Sequence, residues 1–181
     1  MNFLSIFGAK IKKNNYICNK NLNIMKELTL KSTIYAADFS ELTEQERQLI
    51  EQAKASTYNS YAPYSHFHVG AAVLLKNGVI IPGCNQENAA FPSGLCAERS
   101  ALFAAGAQYP DQPVVMLAIA ARDTKGEFQA DPVSPCGPCR QVLIETETRF
   151  KHPVRILLYG TDHTYVMDGI KELMPLSFTQ I

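Results

Sequence analysis

Two short stretches of the chain hold residues that could do chemistry together: Cys96-Ala97-Glu98-Arg99 and Pro135-Cys136-Gly137-Pro138-Cys139. Each opens a run with helical spacing, so the thiols fall at expected helix N-termini. There the partial positive charge and unbonded N–H groups favour the thiolate, the form that ligates metals. Three thiolates around zinc leave one tetrahedral position open to water, whose pKa the metal brings to about 7. Glu98, two residues past Cys96, can turn beside such a metal without ligating it, which suits a general acid and base. Three thiolates and one Zn²⁺ carry net negative charge, and Arg99, with five donors, is placed to withdraw some of it.

Each stretch alone has an ordinary explanation. A helix-start Cys is most often a small buried hydrophobe, and a first-turn Glu a partner of the helix dipole. Cys136-Gly137-Pro138-Cys139 is also the pattern of a dithiol oxidoreductase. Against that rival, the motif comes late in a chain with no Trp, and Cys96 and Glu98 would have no task. A closed structural site recruiting Cys84 as a fourth ligand is a non-enzymatic alternative. Taken together, the two stretches match a zinc deaminase signature with Cys in place of His.

The elements that must bring these residues together can be read from periodicity. Thr43 and Glu46 form a capping box ahead of Leu49, Ile50 and Ala53, so Glu44 to about Thr57 is expected to be an amphipathic helix. The runs from His68 to Leu75 and from Val79 to Asn85 flank Lys76-Asn77-Gly78, which reads as an antiparallel hairpin with positive φ angles at Asn-Gly. A buried helix is expected over Cys96 to Ala107, a strand over Val114 to Ala121, a helix over Gly137 to Thr148, a strand over Val154 to Leu158, and a short last helix over Gly169 to Met174. This order predicts an α/β fold, a three-layer α/β/α domain with a mixed β-sheet.

Composition narrows the partners. With 181 residues the chain fits one ordinary domain, and Lys plus Arg and Asp plus Glu number 17 each. A net charge of zero leaves no basic stripe for nucleic acid. The longest apolar run is far shorter than the roughly 20 residues that cross a bilayer, so no membrane partner is expected. Five cysteines, Cys18 among them, argue for thiols used as ligands in a reducing compartment, read as the cytoplasm. Residues 1–24 are rich in Asn and Lys, and no Asp or Glu precedes Glu27. Residues 1–30 are therefore expected to be a disordered N-terminal extension, with Met25 a candidate true start, and residues 31–181 the functional domain.

From about Leu42 onward the chain resembles the small, homotetrameric, zinc-dependent cytidine deaminases. The resemblance lies in Tyr64-Ser65-His66-Phe67-His68-Val69-Gly70-Ala71-Ala72, Gly83-Cys84-Asn85-Gln86-Glu87-Asn88-Ala89, Cys96-Ala97-Glu98-Arg99-Ser100-Ala101 and Ser134-Pro135-Cys136-Gly137-Pro138-Cys139-Arg140-Gln141-Val142. His68 stands where many members carry Pro, and Phe91 where a Tyr is common. The resemblance implies a deaminase-like fold, Zn²⁺ on Cys96, Cys136 and Cys139, and Glu98 as the catalytic proton carrier. It implies ribose contacts from Asn85 and Glu87, base contacts from Phe67, Ala97 and the Ser134 carbonyl, a place for Phe91 among the substrate-binding residues, and an aromatic, Phe178, reaching a neighbouring subunit's pocket. The implied reaction is hydrolysis of cytidine and deoxycytidine to the uridine forms and ammonia. Blasticidin-type deaminases share Cys-Ala-Glu, but Phe67 and Asn85-x-Glu87 point to plain nucleosides.

Overall fold

The computed structural model describes residues 26–179. Cys18, Met25 and most of the extension expected over residues 1–30 lie outside the described residues. The chain falls into two units, Met1–Leu30 and Lys31–Ile181. Of the first, only residues 26–30 are described, and they hold no helix or strand.

The second unit carries helices α1 (Glu44–Ser56), α2 (Ala97–Gln108) and α3 (Gly137–Phe150), and strands β1 (Tyr35–Ala37), β2 (His68–Leu75), β3 (Ile80–Cys84), β4 (Val114–Arg122), β5 (Arg155–Tyr159) and β6 (Thr164–Asp168). The expected capping box forms: Thr43 Oγ1 accepts from the Glu46 N–H at 3.3 Å, and Glu46 Oε2 accepts from the Thr43 N–H at 2.8 Å. The helix ends one residue earlier than expected, because Thr57–Asn59 tightens into a 3₁₀ turn.

One mixed sheet runs in the order β1-β6-β5-β4-β2-β3. The β4 and β5 strands, joined through α3, are parallel, while the β2–β3 hairpin is antiparallel. Alternation along the strands divides the core in two. Ala71, Val73 and Leu75 of β2, Leu117 and Ile119 of β4, and Ile156 and Leu158 of β5 pack with α2 and α3. Ala72, Leu74, Ala118, Ala120 and Leu157 face the other way, onto Leu49, Ile50 and Ala53 of α1. Period-two alternation buried on both faces is what a central strand between two helical layers requires, and the expected three-layer α/β/α arrangement is present.

Several expectations need correction. β1 and β6 were not foreseen, and both are sheet members: β6 pairs with β5 in the register Leu157↔Val166, and β1 pairs with β6. The last helix is reduced to a 3₁₀ turn, Ile170–Glu172, because Gly169 (φ 116°) precedes it and Pro175 follows closely. In the hairpin turn only Gly78 has positive φ (87°). Asn77 instead turns its Oδ1 to the Val79 N–H at 3.1 Å, giving a three-residue loop closed by Leu75 N–H to Val79 carbonyl at 2.9 Å.

The sheet also sets the depth of α2. A Cβ on Gly83 of β3 would lie 2.4 Å from Ala101 N and 2.7 Å from the Ala97 carbonyl oxygen, so glycine there lets the strand approach the first turns of the helix that Cys96 caps.

Candidate active site

Two of the three motif thiols are helix caps. Cys96 is the N-cap of α2 and Cys136 the N-cap of α3, and neither side chain is used to satisfy a helix N–H. Cys139 lies in the first turn of α3 and is fully buried. The helices share one face of the sheet, and their N-termini converge. Cys96 Sγ stands 3.7 Å from Cys136 Sγ, Cys136 Sγ 3.3 Å from Cys139 Sγ, and all three sulfurs lie within 4.8 Å of one another. Tetrahedral zinc with bonds of about 2.3 Å spaces its sulfurs by roughly 3.8 Å, so this donor set fits the ion.

The loop carrying Pro135 is held from both sides. Arg140 Nε donates to the Pro135 carbonyl at 2.8 Å, and the turn between β5 and β6 gives the Thr161 and Asp162 N–H groups to the Gln129 and Ala130 carbonyls. Arg140 of α3 and the turn between β5 and β6 therefore help to fix the loop that delivers Cys136.

The electrostatics separate the groups. A hydrogen bond from Cys139, with further help from Arg99, pushes the Cys96 thiol down to about 5. The same bond, together with burial, pushes the Cys139 thiol up. Burial raises the Glu98 carboxyl above the usual carboxylate value, and the charge of Cys96 adds to this. Glu98 is only 4% exposed. Arg99 Nη2 donates to Cys96 Sγ at 3.8 Å, while its buried Nε has no partner among the described residues.

Beside the sulfurs opens a cleft of about 500 Å³ whose wall includes Tyr64, Asn85, Glu87, Phe91, Cys96 and Arg99. Asn85 is fastened at both ends: its Oδ1 accepts from the Val69 N–H at 2.9 Å, and its Nδ2 donates to the Phe67 carbonyl at 2.9 Å. An amide has two donors and two acceptor lone pairs, so one of each is left toward the cleft. Glu87 Oε2 accepts from the N–H groups of Tyr64 at 2.8 Å and Ser65 at 3.2 Å. The Ser65 hydroxyl, with those N–H groups, holds the Glu87 carboxyl below its usual value, so it is ionised at neutral pH.

Of the other expected substrate contacts, Phe91 is part of that wall, while Ala97, Phe67 and Phe178 are not. Ala97 is buried at the start of α2, and Phe67 is half-buried just before β2. Phe91 is exposed, its ring edge-on to Tyr64 with centroids 5.7 Å apart. Phe178 is 65% exposed and its carbonyl accepts from Gln141 Nε2 at 2.9 Å, so within this chain its ring does not join the cleft. Tyr64, to which sequence reasoning gave no role, is part of the wall; its only sequence signal was a place in a motif block. Cys84 is outside the sulfur cluster, with its Sγ receiving Gln86 Nε2 at 3.2 Å, so a four-cysteine site is not formed among the described residues.

Comparison with known proteins gives one answer. The family model for the cytidine and deoxycytidylate deaminase zinc-binding region matches residues 43–151. The chain is 46% identical over 133 residues to a cytidine deaminase of Halalkalibacterium halodurans, covering 74% of this chain and 93% of that one. It is 32% identical to a cytidine deaminase of Mycoplasma genitalium, over 72% of this chain and 92% of that one. Among solved structures, the cytidine deaminase from Burkholderia pseudomallei superposes with a TM-score of 0.63 at 36% identity, covering 76% of this chain and all of that one. These relatives leave the dithiol oxidoreductase reading unfavoured, since Cys136-Gly137-Pro138-Cys139 and Cys96 gather into one sulfur cluster. On the strength of the matched region and of the sulfur cluster inside it, the chain belongs to the zinc-binding cytidine and deoxycytidylate deaminase family.

Proposed function

We propose that this enzyme hydrolyses cytidine and deoxycytidine to uridine and deoxyuridine, releasing ammonia. The observation that carries the reading is the convergence of Cys96, Cys136 and Cys139 beside a buried carboxyl, Glu98, whose affinity for protons is raised. Cys96, Cys136 and Cys139 would hold zinc, and the ion when bound would supply a water acidified to near neutrality. Glu98 takes a proton from the water that adds to C4 and passes it to N3 of the base, then carries the remaining hydroxyl proton to the 4-amino nitrogen, which leaves as ammonia. The C4–N bond breaks as the C4 carbonyl forms. A buried carboxyl suits this relay because proton transfer works best when the group's pKa lies near the working pH.

The chain's other residues bind and orient. The Ala97 N–H and the Ser134 carbonyl meet the base, with Phe67 and Phe91 against it. Asn85 and the ionised Glu87 meet the ribose hydroxyls, a donor-acceptor and a pure acceptor suiting a diol. An anionic Glu87 disfavours a phosphate beside the sugar, so nucleosides are the substrate class. Residues 31–181 form the deaminase domain and residues 1–30 an extension to it. The protein acts in pyrimidine salvage in the cytoplasm as a homotetramer; the exposure of Phe178 supports its reaching a neighbouring subunit. Among the described residues no helix is long and apolar enough to cross a membrane. The substrate assignment is tested by comparing cytidine, deoxycytidine, cytosine and cytidylate under one set of conditions. Faster turnover of cytosine or cytidylate than of the nucleosides would overturn it.

A further inference from the structure

One buried charge has no part in the chemistry described above. Arg122, the last residue of β4, is 9% exposed, and its three hydrogen bonds among the described residues all go to neutral oxygens. Nε donates to Thr57 Oγ1 at 2.9 Å, Nη2 to the Thr57 carbonyl at 3.3 Å and Nη1 to the Asp123 carbonyl at 3.0 Å. The guanidinium carbon lies 4.3 Å from the centroid of the Tyr58 ring. Burying a cation without a carboxylate is costly, and a neutral side chain would fill the same space with less desolvation. The arrangement makes sense where the charge fixes a geometry.

The geometry it fixes is the 3₁₀ turn Thr57–Asn59, through which α1 passes into residues 60–67. The Ser60 hydroxyl donates to the Thr57 carbonyl at 2.6 Å and sits 2.6 Å from His68 Nδ1, which must then carry the proton. His68 is the cross-strand partner of Arg122, so the turn is gripped from β2 and β4 together. The next residue, Tyr61, is bonded into the cleft wall: its N–H donates to the Asn85 carbonyl at 3.0 Å, and its carbonyl accepts from the Glu87 N–H at 2.8 Å. Tyr64 and Ser65, a little further on, clasp the Glu87 carboxylate.

We propose that Arg122 is a positioning residue for the nucleoside cleft. By clamping the Thr57–Asn59 turn it sets where Tyr61 lies, and through Tyr61 where Asn85 and Glu87 meet the sugar. The proposal rests on the deaminase reading of the cleft. Arg122 bonds to none of the three sulfur ligands, so its effect falls on affinity for the nucleoside and spares metal retention and proton transfer.

The test compares Arg122→Met, which keeps an apolar stem, with Arg122→Lys, which keeps a cation but loses the planar fork. For Arg122→Met we expect KM for cytidine and the calorimetric Kd for uridine to rise about tenfold, with kcat within about twofold of wild type and zinc per chain unchanged. Arg122→Lys should fall between. Unchanged KM and Kd would overturn the proposal, as would kcat and zinc content falling alongside KM at a temperature where thermal melts show the variant folded. If Arg122→Met does not fold, Arg122→Lys decides by the same criteria. A wild type that binds uridine but leaves cytidine unchanged would count against the deaminase reading instead, and the Kd comparison would still decide the role of Arg122.

Discussion

Arg99 points Nη2 at Cys96 Sγ from 3.8 Å, and the Nε of the same guanidinium is buried with no hydrogen-bond partner among the described residues. A guanidinium so placed suits a sulfur cluster that carries negative charge: a hydrogen bond to a metal's ligand, as from Nη2 to Cys96 Sγ, moderates that charge and tunes the ion. Cys96 and Arg99 raise each other's preference for the ionised form, as a thiolate and a guanidinium should.

Arg99→Ala is therefore expected to weaken zinc retention by about 10–100-fold, as loss of an outer partner of a metal site typically does, and to lower turnover with it. Arg99→Gln, which keeps two donors, should be milder. Competition with a chelator, read as zinc lost over time, checks this. Unchanged retention in Arg99→Ala would remove the charge-balancing role while leaving the cysteine ligands in place.

Glu98→Gln is expected to keep the fold and bound zinc but to lose turnover by about 10²–10⁴-fold or more, since in the proposed reaction one carboxyl carries protons at several steps. Single-turnover kinetics and metal analysis on the same preparation check it, and near-normal turnover would exclude Glu98 from the mechanism.

Glu46 links stability to pH. Burial alone would raise this carboxyl, but the Thr43 N–H and hydroxyl and the Arg155 guanidinium together hold it below 4.5. A carboxyl depressed in the folded state contributes stability that is fully present above its unfolded value and is lost as pH falls through the lower folded value. Arg155 Nε meets Glu46 Oε1 at 2.5 Å and its Nη1 meets Asp168 Oδ1 at 2.6 Å, joining α1 to β5 and β6. With Arg155 39% exposed, Glu46→Gln is expected to cost about 1–2 kcal/mol at neutral pH, less than for a fully buried pair. Denaturant melts from pH 7 down to pH 3 should show the gap between wild type and variant closing below about pH 4.5. A gap that stays constant would contradict the linkage.

How much of this was legible beforehand follows from what each feature depends on. The helix from Glu44 was readable because Thr43, Glu46 and the spacing of Leu49, Ile50 and Ala53 are all local. The sulfur cluster was readable because its residue types are rare and its chemistry demands them at helix starts. The β6 strand was missed although Thr164-Tyr165-Val166-Met167 favours a strand, since its existence depends on β5 lying alongside. The short last helix misled for the converse reason: the five residues between Gly169 and Pro175 are too few to hold more than the 3₁₀ turn Ile170–Glu172, whatever their propensity. Arg122 gave no signal at all, because its partner Thr57 is distant in sequence and only the fold brings the two together.

The central claim is that three cysteines hold zinc and Glu98 uses it to deaminate a nucleoside. The most direct measurement incubates the purified full chain with cytidine, follows the loss of cytosine absorbance, and determines zinc in the same sample, beside a Cys136→Ser variant. The account predicts about one zinc per chain with absorbance loss in wild type, and loss of both in the variant, since two thiolates are too few to hold a catalytic site's ion. Wild-type protein that lacks zinc, or turnover that survives in Cys136→Ser without zinc, would contradict it.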